Sequence, residues 1–242
     1  MINARINRTL ISILMLFVYF YHIQISIASE RTCAILLHGL GRTHHSMLSL
    51  ASALKKHDYW VVNQDYHSTK KSVNVIAEQY IQPMVDECIK NQTKHIVFIT
   101  HSLGGIVLQK YLENHGIKQL THIVMLSPPN HGSPIVDKFQ RYWLFRTLLG
   151  PAIQSLSTTA KGCTLPINRR YRVGIIAGNA NLTLAPRYFF NEPNDGKVSV
   201  SSSYMQGTDD FIILPVNHTF MMNNALVQKS ILNFLYRQTF RV

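Results

Sequence analysis

Along this chain, compact apolar runs alternate with stretches in which apolar residues recur every three or four positions. The compact runs read as buried strands: "CAILLHG" (33–39), "YWVVNQD" (59–65), "HIVFIT" (95–100), "HIVMLS" (122–127), "RVGIIAG" (172–178) and "FIILPV" (211–216). Between them the period lengthens to that of a helix. Met47, Leu50, Ala51 and Leu54 predict a helix from about Ser46. Val73, Ile76, Ala77, Tyr80, Met84, Val85 and Cys88 predict another, kinked at Pro83. A third is expected from Ser102 to a cap at Gly116, and a last one carries Leu226, Val227, Ile231, Phe234 and Leu235. Strands that are apolar throughout and separated by helices imply an α/β fold, with a mostly parallel central sheet and helices on both faces. In such sheets the chemistry gathers at the carboxyl ends of the strands.

The first 28 residues depart from that pattern. Arg5 and Arg8 precede an apolar run from Leu10 to Phe20, and Ser26 and Ala28 are spaced as at a cleavage site. This is the layout of a signal peptide. The run is short for a membrane span unless it extends through Tyr21–Ile27. The expected organisation is a signal peptide over 1–28 and a single domain over 29–242. The alternative is an uncleaved anchor in the inner membrane formed by 10–27. The expected location is therefore exported, periplasmic or secreted. A length of 242 residues, 46% of them apolar, is enough for one sizeable core and excludes disorder.

The formal charge is +12, and the two leader arginines leave +10 for the rest. A basic surface attracts anions. The lysines and arginines are scattered and no nucleic-acid motif accompanies them, so nucleic acid is not an expected partner, whereas an anionic membrane surface is a candidate one. Cys33, Cys88 and Cys163 allow at most one internal disulfide, and their separations match no metal site. Cys33 and Cys88 read as small core residues.

The stretch "VFITHSLGGIVLQ" (97–109) turns from strand to helix at Ser102. Thr100-His101-Ser102-Leu103-Gly104 is a variant of G-x-S-x-G with threonine in place of the first glycine. A hydroxyl on so tight a turn stands clear of the sheet, at the N-terminal end of the next helix, and small neighbours such as Gly104 permit the close packing. A nucleophilic serine needs a base and a group that orients the base, in the chain order Ser, Asp or Glu, His. "NEPNDGKVSV" offers Asp195 after the fifth strand, and "PVNHTFMM" offers His218 after the sixth. Glu192 is the second candidate acid, and Asp209 and Asp210 lie too near the start of the sixth strand. Two N–H groups are expected to hold an oxyanion: that of Leu103, and that of Leu40 in "LLHGLGRTHH", where Gly39 lets the chain turn and His38 braces the loop. His44 and His45 are adjacent, point apart and match no metal-ligand pattern; neither a metal nor a cofactor is expected.

Together, "LLHGLGRT", "THSLGG", "SPPNHGS", "PNDGKVSV" and "VNHTFMM" resemble the bacterial lipase/esterase group of α/β-hydrolases over most of residues 33–235. The resemblance implies hydrolysis of a carboxylic ester, small-molecule or lipid, with Ser102, Asp195 and His218 as the triad, and it fits Leu40 as an oxyanion donor. About forty residues between strands four and five leave room for a small cap only. Within it, "IVDKFQRYWLFRTLLG" (135–150) written as one helix gives an apolar face of Ile135, Phe139, Tyr142, Trp143 and Leu149 beside Lys138, Arg141 and Arg146. That face suits either the core or a lipid surface. The alternatives are an acyltransferase, an amide or thioester hydrolase on the same fold, and a membrane-associated binding protein without catalysis.

Overall fold

Strand β1 (Thr32–Leu37) lies inside a six-stranded sheet, between β2 (Trp60–Val62) and β3 (His95–His101); β4 (Leu120–Leu126), β5 (Arg172–Gly178) and β6 (Asp210–Leu214) follow outward. Every neighbouring pair is parallel. The computed structural model describes residues 31–160, 169–181 and 190–241. The expected leader over 1–28 and Cys163 lie outside them. No helix among the described residues is long and apolar enough to cross a membrane.

The strands are apolar throughout because the sheet is covered on both faces. Successive strand residues point to opposite sides. Ile35, Phe98, Met125 and Ile175 face one core with α2 (Val73–Ile76), α3 (Gln82–Lys90) and α4 (Leu103–Leu112). Leu36, Ile99, Val124 and Ile176 face the other, with α1 (Leu48–Lys55) and α8 (Ala225–Arg237). Each of these eight strand side chains is fully buried. Burial of that kind contributes roughly 1.5–3 kcal/mol per large aliphatic side chain.

Several expected boundaries shift. Strand β2 keeps only three residues, because Asn63 and Asp65 leave the sheet to bond the backbone of His44. Instead of a kink at Pro83, a π segment over Ala77–Ile81 joins α2 to α3. Pro83 has no N–H to give to the carbonyl of Gln79, and the widened turn absorbs the missing bond. Helix α4 ends at Leu112, one turn short of Gly116, where Glu113, Asn114 and His115 interrupt the apolar stripe.

The cap between β4 and β5 also differs. In place of one helix over 135–150 there are α5 (Pro134–Phe139) and α6 (Trp143–Leu149), followed by a 3₁₀ turn, Pro151–Leu156. Tyr142 is extended between the helices. Gly150, at φ +72°, ends α6 against the backbone of Thr69, where a Cβ would overlap the carbonyl oxygen. The two turns divide the expected apolar face. Ile135, Phe145 and Leu149 turn toward a cavity, while Tyr142, Trp143, Leu144 and Leu148 are exposed. The short α7 (Val200–Ser203) precedes β6.

Cys33 and Cys88 are core residues, and they are also bonded to each other, with Cα atoms 5.7 Å apart. The bridge ties β1 to α3. For a separation of 55 residues, loop-closure entropy assigns it about 4 kcal/mol. Replacing both cysteines by alanine should lower the unfolding free energy by that order. Reductant should lower the urea midpoint of the wild type and leave the double variant unmoved; a wild-type midpoint indifferent to reductant would show that the bridge does not form.

Candidate active site

Ser102 occupies the corner between β3 and α4 with φ 54° and ψ −120°. A side chain is held in that sparsely populated region only when its surroundings fix it. The Ser102 N–H donates to the Leu126 carbonyl at 2.9 Å, and the Ser102 carbonyl accepts from Gly105 N–H at 3.0 Å. The motif's glycines have a measurable reason: a Cβ on Gly104 would lie 2.6 Å from the Leu37 carbonyl oxygen, and one on Gly39 2.9 Å from His101 Nδ1 and 3.3 Å from Ser102 Cβ. Thr100, in place of the usual glycine, fits fully buried behind the corner.

Asp195 and His218 leave the ends of β5 and β6 and meet. His218 Nδ1 lies 2.7 Å from Asp195 Oδ2, with both residues buried. So short a contact with a carboxylate puts the proton on Nδ1 and leaves Nε2 as an acceptor. The other Asp195 oxygen accepts from the N–H groups of Lys197 (3.0 Å) and Val198 (2.8 Å). Burial raises the Asp195 pKa, but the charge and hydrogen bond of His218, the Val198 N–H and the Ser127 hydroxyl together bring it below the ordinary carboxylate value. The backbones are joined too, since His218 N–H donates to the Asp195 carbonyl at 3.0 Å.

Ser102, Asp195, His218, Gly39 and Leu40 line one cavity of about 640 Å³, with an apolar wall from the cap (Ile135, Val136, Phe145, Leu149, Ile153, Leu156). Leu103, the first residue of α4, is buried, and its N–H belongs to the helical turn that has no partner within the helix. His38 stands behind Leu40: its ring stacks on Tyr66 at 4.0 Å, its Nδ1–H reaches the Gly39 carbonyl at 3.0 Å, and the Tyr66 hydroxyl donates to the His38 carbonyl. The other candidate acids are placed elsewhere. Glu192 is exposed, Asp209 pairs with Arg169 and Arg172, and Asp210 accepts from Thr239 and Phe240. His44 does meet a carboxylate, that of Asp65 at 2.8 Å, which the sequence reading did not connect to it.

Two further residues of the motifs act at the site. Ser127, fully buried at φ 41°, accepts from Gly178 N–H at 3.2 Å and turns its hydroxyl to the Asp195 carboxylate. His101 is buried beside His218, with ring centroids 4.8 Å apart, and its Nε2–H donates to the His218 carbonyl at 2.9 Å. A serine just past a strand and a histidine just before the corner were visible signals; their partners, 68 and 117 positions away, were not.

A model of the PGAP1-like alpha/beta domain matches residues 29–161, more than half of the chain. The chain belongs to the PGAP1-like alpha/beta domain family. The span matched to the PGAP1-like domain holds Ser102, while Asp195 and His218 lie beyond it. No curated protein matches the chain. Among solved structures, it is similar to the mature lipase BlEst2 of Bacillus licheniformis (TM-score 0.70, 18% identity, covering 87% of this chain and 93% of that one). It is also similar to the phospholipase PlaB of Legionella pneumophila (0.65, 16%, 88% and 60%) and the esterase RhEst1 of a Rhodococcus species (0.57, 13%, 86% and 91%). At these identities the shared property is the α/β-hydrolase fold.

Burial holds His101 and His38 below the ordinary histidine value of 6.5. The unfolded chain takes up protons at these positions as pH falls through about 6.5, and the folded chain does not, so stability is lost on acidification. The slope is at most about 1.4 kcal/mol per pH unit for each group. His101→Gln should make the urea midpoint less sensitive to pH between 7.5 and 5.5; an unchanged slope would mean that His101 is not held neutral.

Proposed function

We propose that this PGAP1-like domain is a serine hydrolase that cleaves carboxylic esters, with Ser102 as nucleophile, His218 as general base and acid, and Asp195 as the group that orients and charges against the imidazole. The observation that carries the reading is the buried Asp195–His218 pair facing the cavity in which Ser102 is held at positive φ. The lipase, phospholipase and esterase among its structural neighbours agree with it.

Ester binding has to bring the Ser102 hydroxyl and His218 Nε2 into hydrogen-bond contact, a link that tightens with substrate in hydrolases of this kind. Nε2 takes the serine proton as Oγ attacks the acyl carbon. The negative oxygen is held by the N–H groups of Leu40 and Leu103, aided by the N-terminal end of α4. The imidazolium, stabilised by Asp195, then protonates the leaving alcohol. Water attacks the acyl-enzyme by the same proton transfers and releases the acid. The apolar wall of the cap takes the acyl chain. Ser102→Ala should lose on the order of 10⁴–10⁶ in turnover and all labelling by a fluorophosphonate, and Asp195→Asn on the order of 10⁴. Glu192→Gln, with its exposed carboxylate, should change turnover less than twofold. Retained labelling in Ser102→Ala, or a larger loss at Glu192 than at Asp195, would refute the assignment.

Export is part of the same reading: residues 1–28 act as a signal peptide, and the Cys33–Cys88 bridge suits an oxidising compartment. So is contact with an anionic lipid surface. Trp143 and Leu148 are 75% and 65% exposed, Arg141 and Arg146 are exposed beside them, and Phe220, 57% exposed, stands at the cavity. Exposed aromatic and basic residues together favour a bilayer interface. Ser102→Ala protein should bind vesicles containing phosphatidylglycerol more tightly than phosphatidylcholine vesicles. Charge reversal at Arg141 or Arg146 changes the charge by two and should cost about thirtyfold each, and Trp143→Ala with Leu148→Ala should weaken binding further. Equal binding to both vesicle types, unmoved by these changes, would refute docking.

A further inference from the structure

Two cations stand at the candidate site with no part in the chemistry above. Arg42 and Lys197 both line the cavity that holds Ser102 and His218. Each lies two residues beyond a residue of the proposed machinery, Leu40 and Asp195, and each is fixed by a turn that begins at the site. Arg42 N–H closes on the Gly39 carbonyl at 3.2 Å, across Gly41 at φ +65°. Lys197 N–H donates to the Asp195 carboxylate at 3.0 Å, and its carbonyl accepts from the Ser133 hydroxyl at 2.7 Å.

The two positive charges line the same cavity and are near enough to repel. After burial, Arg42 is the largest influence lowering the Lys197 pKa, and both charges reach His101, the neighbour of Ser102. The carboxylates near them are committed: Asp195 to His218, and Asp65 to His44. Among the described residues no salt bridge to Arg42 or Lys197 is formed. Lys197 is exposed and Arg42 half-buried, so water weakens their repulsion without removing it. An anion between them converts that repulsion into attraction on both sides.

We propose that Arg42 and Lys197 form an anion subsite, and that the preferred ester carries a phosphate group on its alcohol part. The guanidinium offers a flat fork of donors and the ammonium a compact charge, a combination that suits the several oxygens and near-double charge of a phosphate monoester. The cap supplies the apolar wall and takes the acyl chain, so the charged end belongs to the leaving alcohol. The step is hydrolysis of the acyl C–O bond: water supplies the hydroxyl of the released acid and a proton to the alcohol, and the phosphate ester bond is untouched. The subsite rests on the ester-hydrolase reading for its use in turnover, and on the cavity alone for its binding.

The test compares 1-hexanoylglycerol with 1-hexanoylglycerol 3-phosphate, and the 1-oleoyl pair presented in vesicles, using the wild type, Arg42→Gln, Lys197→Gln and the double variant, each checked for an unchanged melting profile. The wild type should favour the phosphate ester by tenfold or more in kcat/KM. Each substitution should cut that preference severalfold, and the double variant should bring it near one. Preference in the hexanoyl pair marks a soluble phosphate ester as the source of the anion; preference confined to the oleoyl pair marks a lipid headgroup. Calorimetry of glycerol 3-phosphate on Ser102→Ala protein gives a readout free of turnover, and binding should vanish when Arg42→Gln and Lys197→Gln are added. If no ester is cleaved at all, the hydrolase reading fails while this binding still decides the subsite. Equal use of the two esters by the wild type, equal losses on both in the variants, or no glycerol 3-phosphate binding would overturn the proposal.

Discussion

The backbone of Ser102 is the constraint on which the rest of the site depends. A serine at φ 54° costs of order 1–3 kcal/mol relative to ordinary geometry. It is kept there because β3 is locked between β1 and β4 and α4 must leave at once to cover the sheet. The corner leaves no room for a side chain at Gly104 against β1, or at Gly39 against His101. The glycines of the two motifs are thus one requirement seen from two sides, namely the close approach of the β1 loop to the corner. That approach is what carries Leu40, and with it Arg42, to the cavity.

A second level of organisation acts through main-chain atoms. His218 is held by its ring on Asp195, by its N–H on the Asp195 carbonyl and by its carbonyl on His101. Asp195 is held in turn by two N–H groups of its own turn and by Ser127. Gly178 shows how tightly the loops converge: a Cβ there would lie 2.4 Å from the Val216 carbonyl oxygen and 2.8 Å from Asp195 Cβ. A buried carboxylate remains ionised in such a setting because every lone pair it presents has a donor.

The parallel sheet and its two covering layers were legible because each strand is apolar on both faces and each helix carries a regular stripe. The elements that moved are those decided by contacts distant in sequence. Strand β2 is cut short by bonds to His44, the Pro83 kink is replaced by a π segment, and the cap breaks in two at extended Tyr142 and ends where Gly150 meets Thr69. At the site, chain order and position after a strand singled out Ser102, Asp195 and His218, and the structure places them at one cavity. Ser127, His101, Arg42 and Lys197 passed without a role, since a serine, a histidine and two cations are ordinary in loops until their neighbours are known. The Cys33–Cys88 pairing was hidden for the same reason: both positions satisfy the core equally well as free thiols.

The order in which the chain supplies these parts has a consequence for its making. The elbow and its helix lie in the first half of the sequence, whereas Asp195 and His218 arrive only with the loops after β5 and β6. A nascent chain that emerges N-terminus first therefore presents Ser102 as an ordinary alcohol for as long as its imidazole has not been made. On the proposed reading, hydrolysis switches on only when the final strand has joined the sheet edge. Latency during synthesis is then a property of topology.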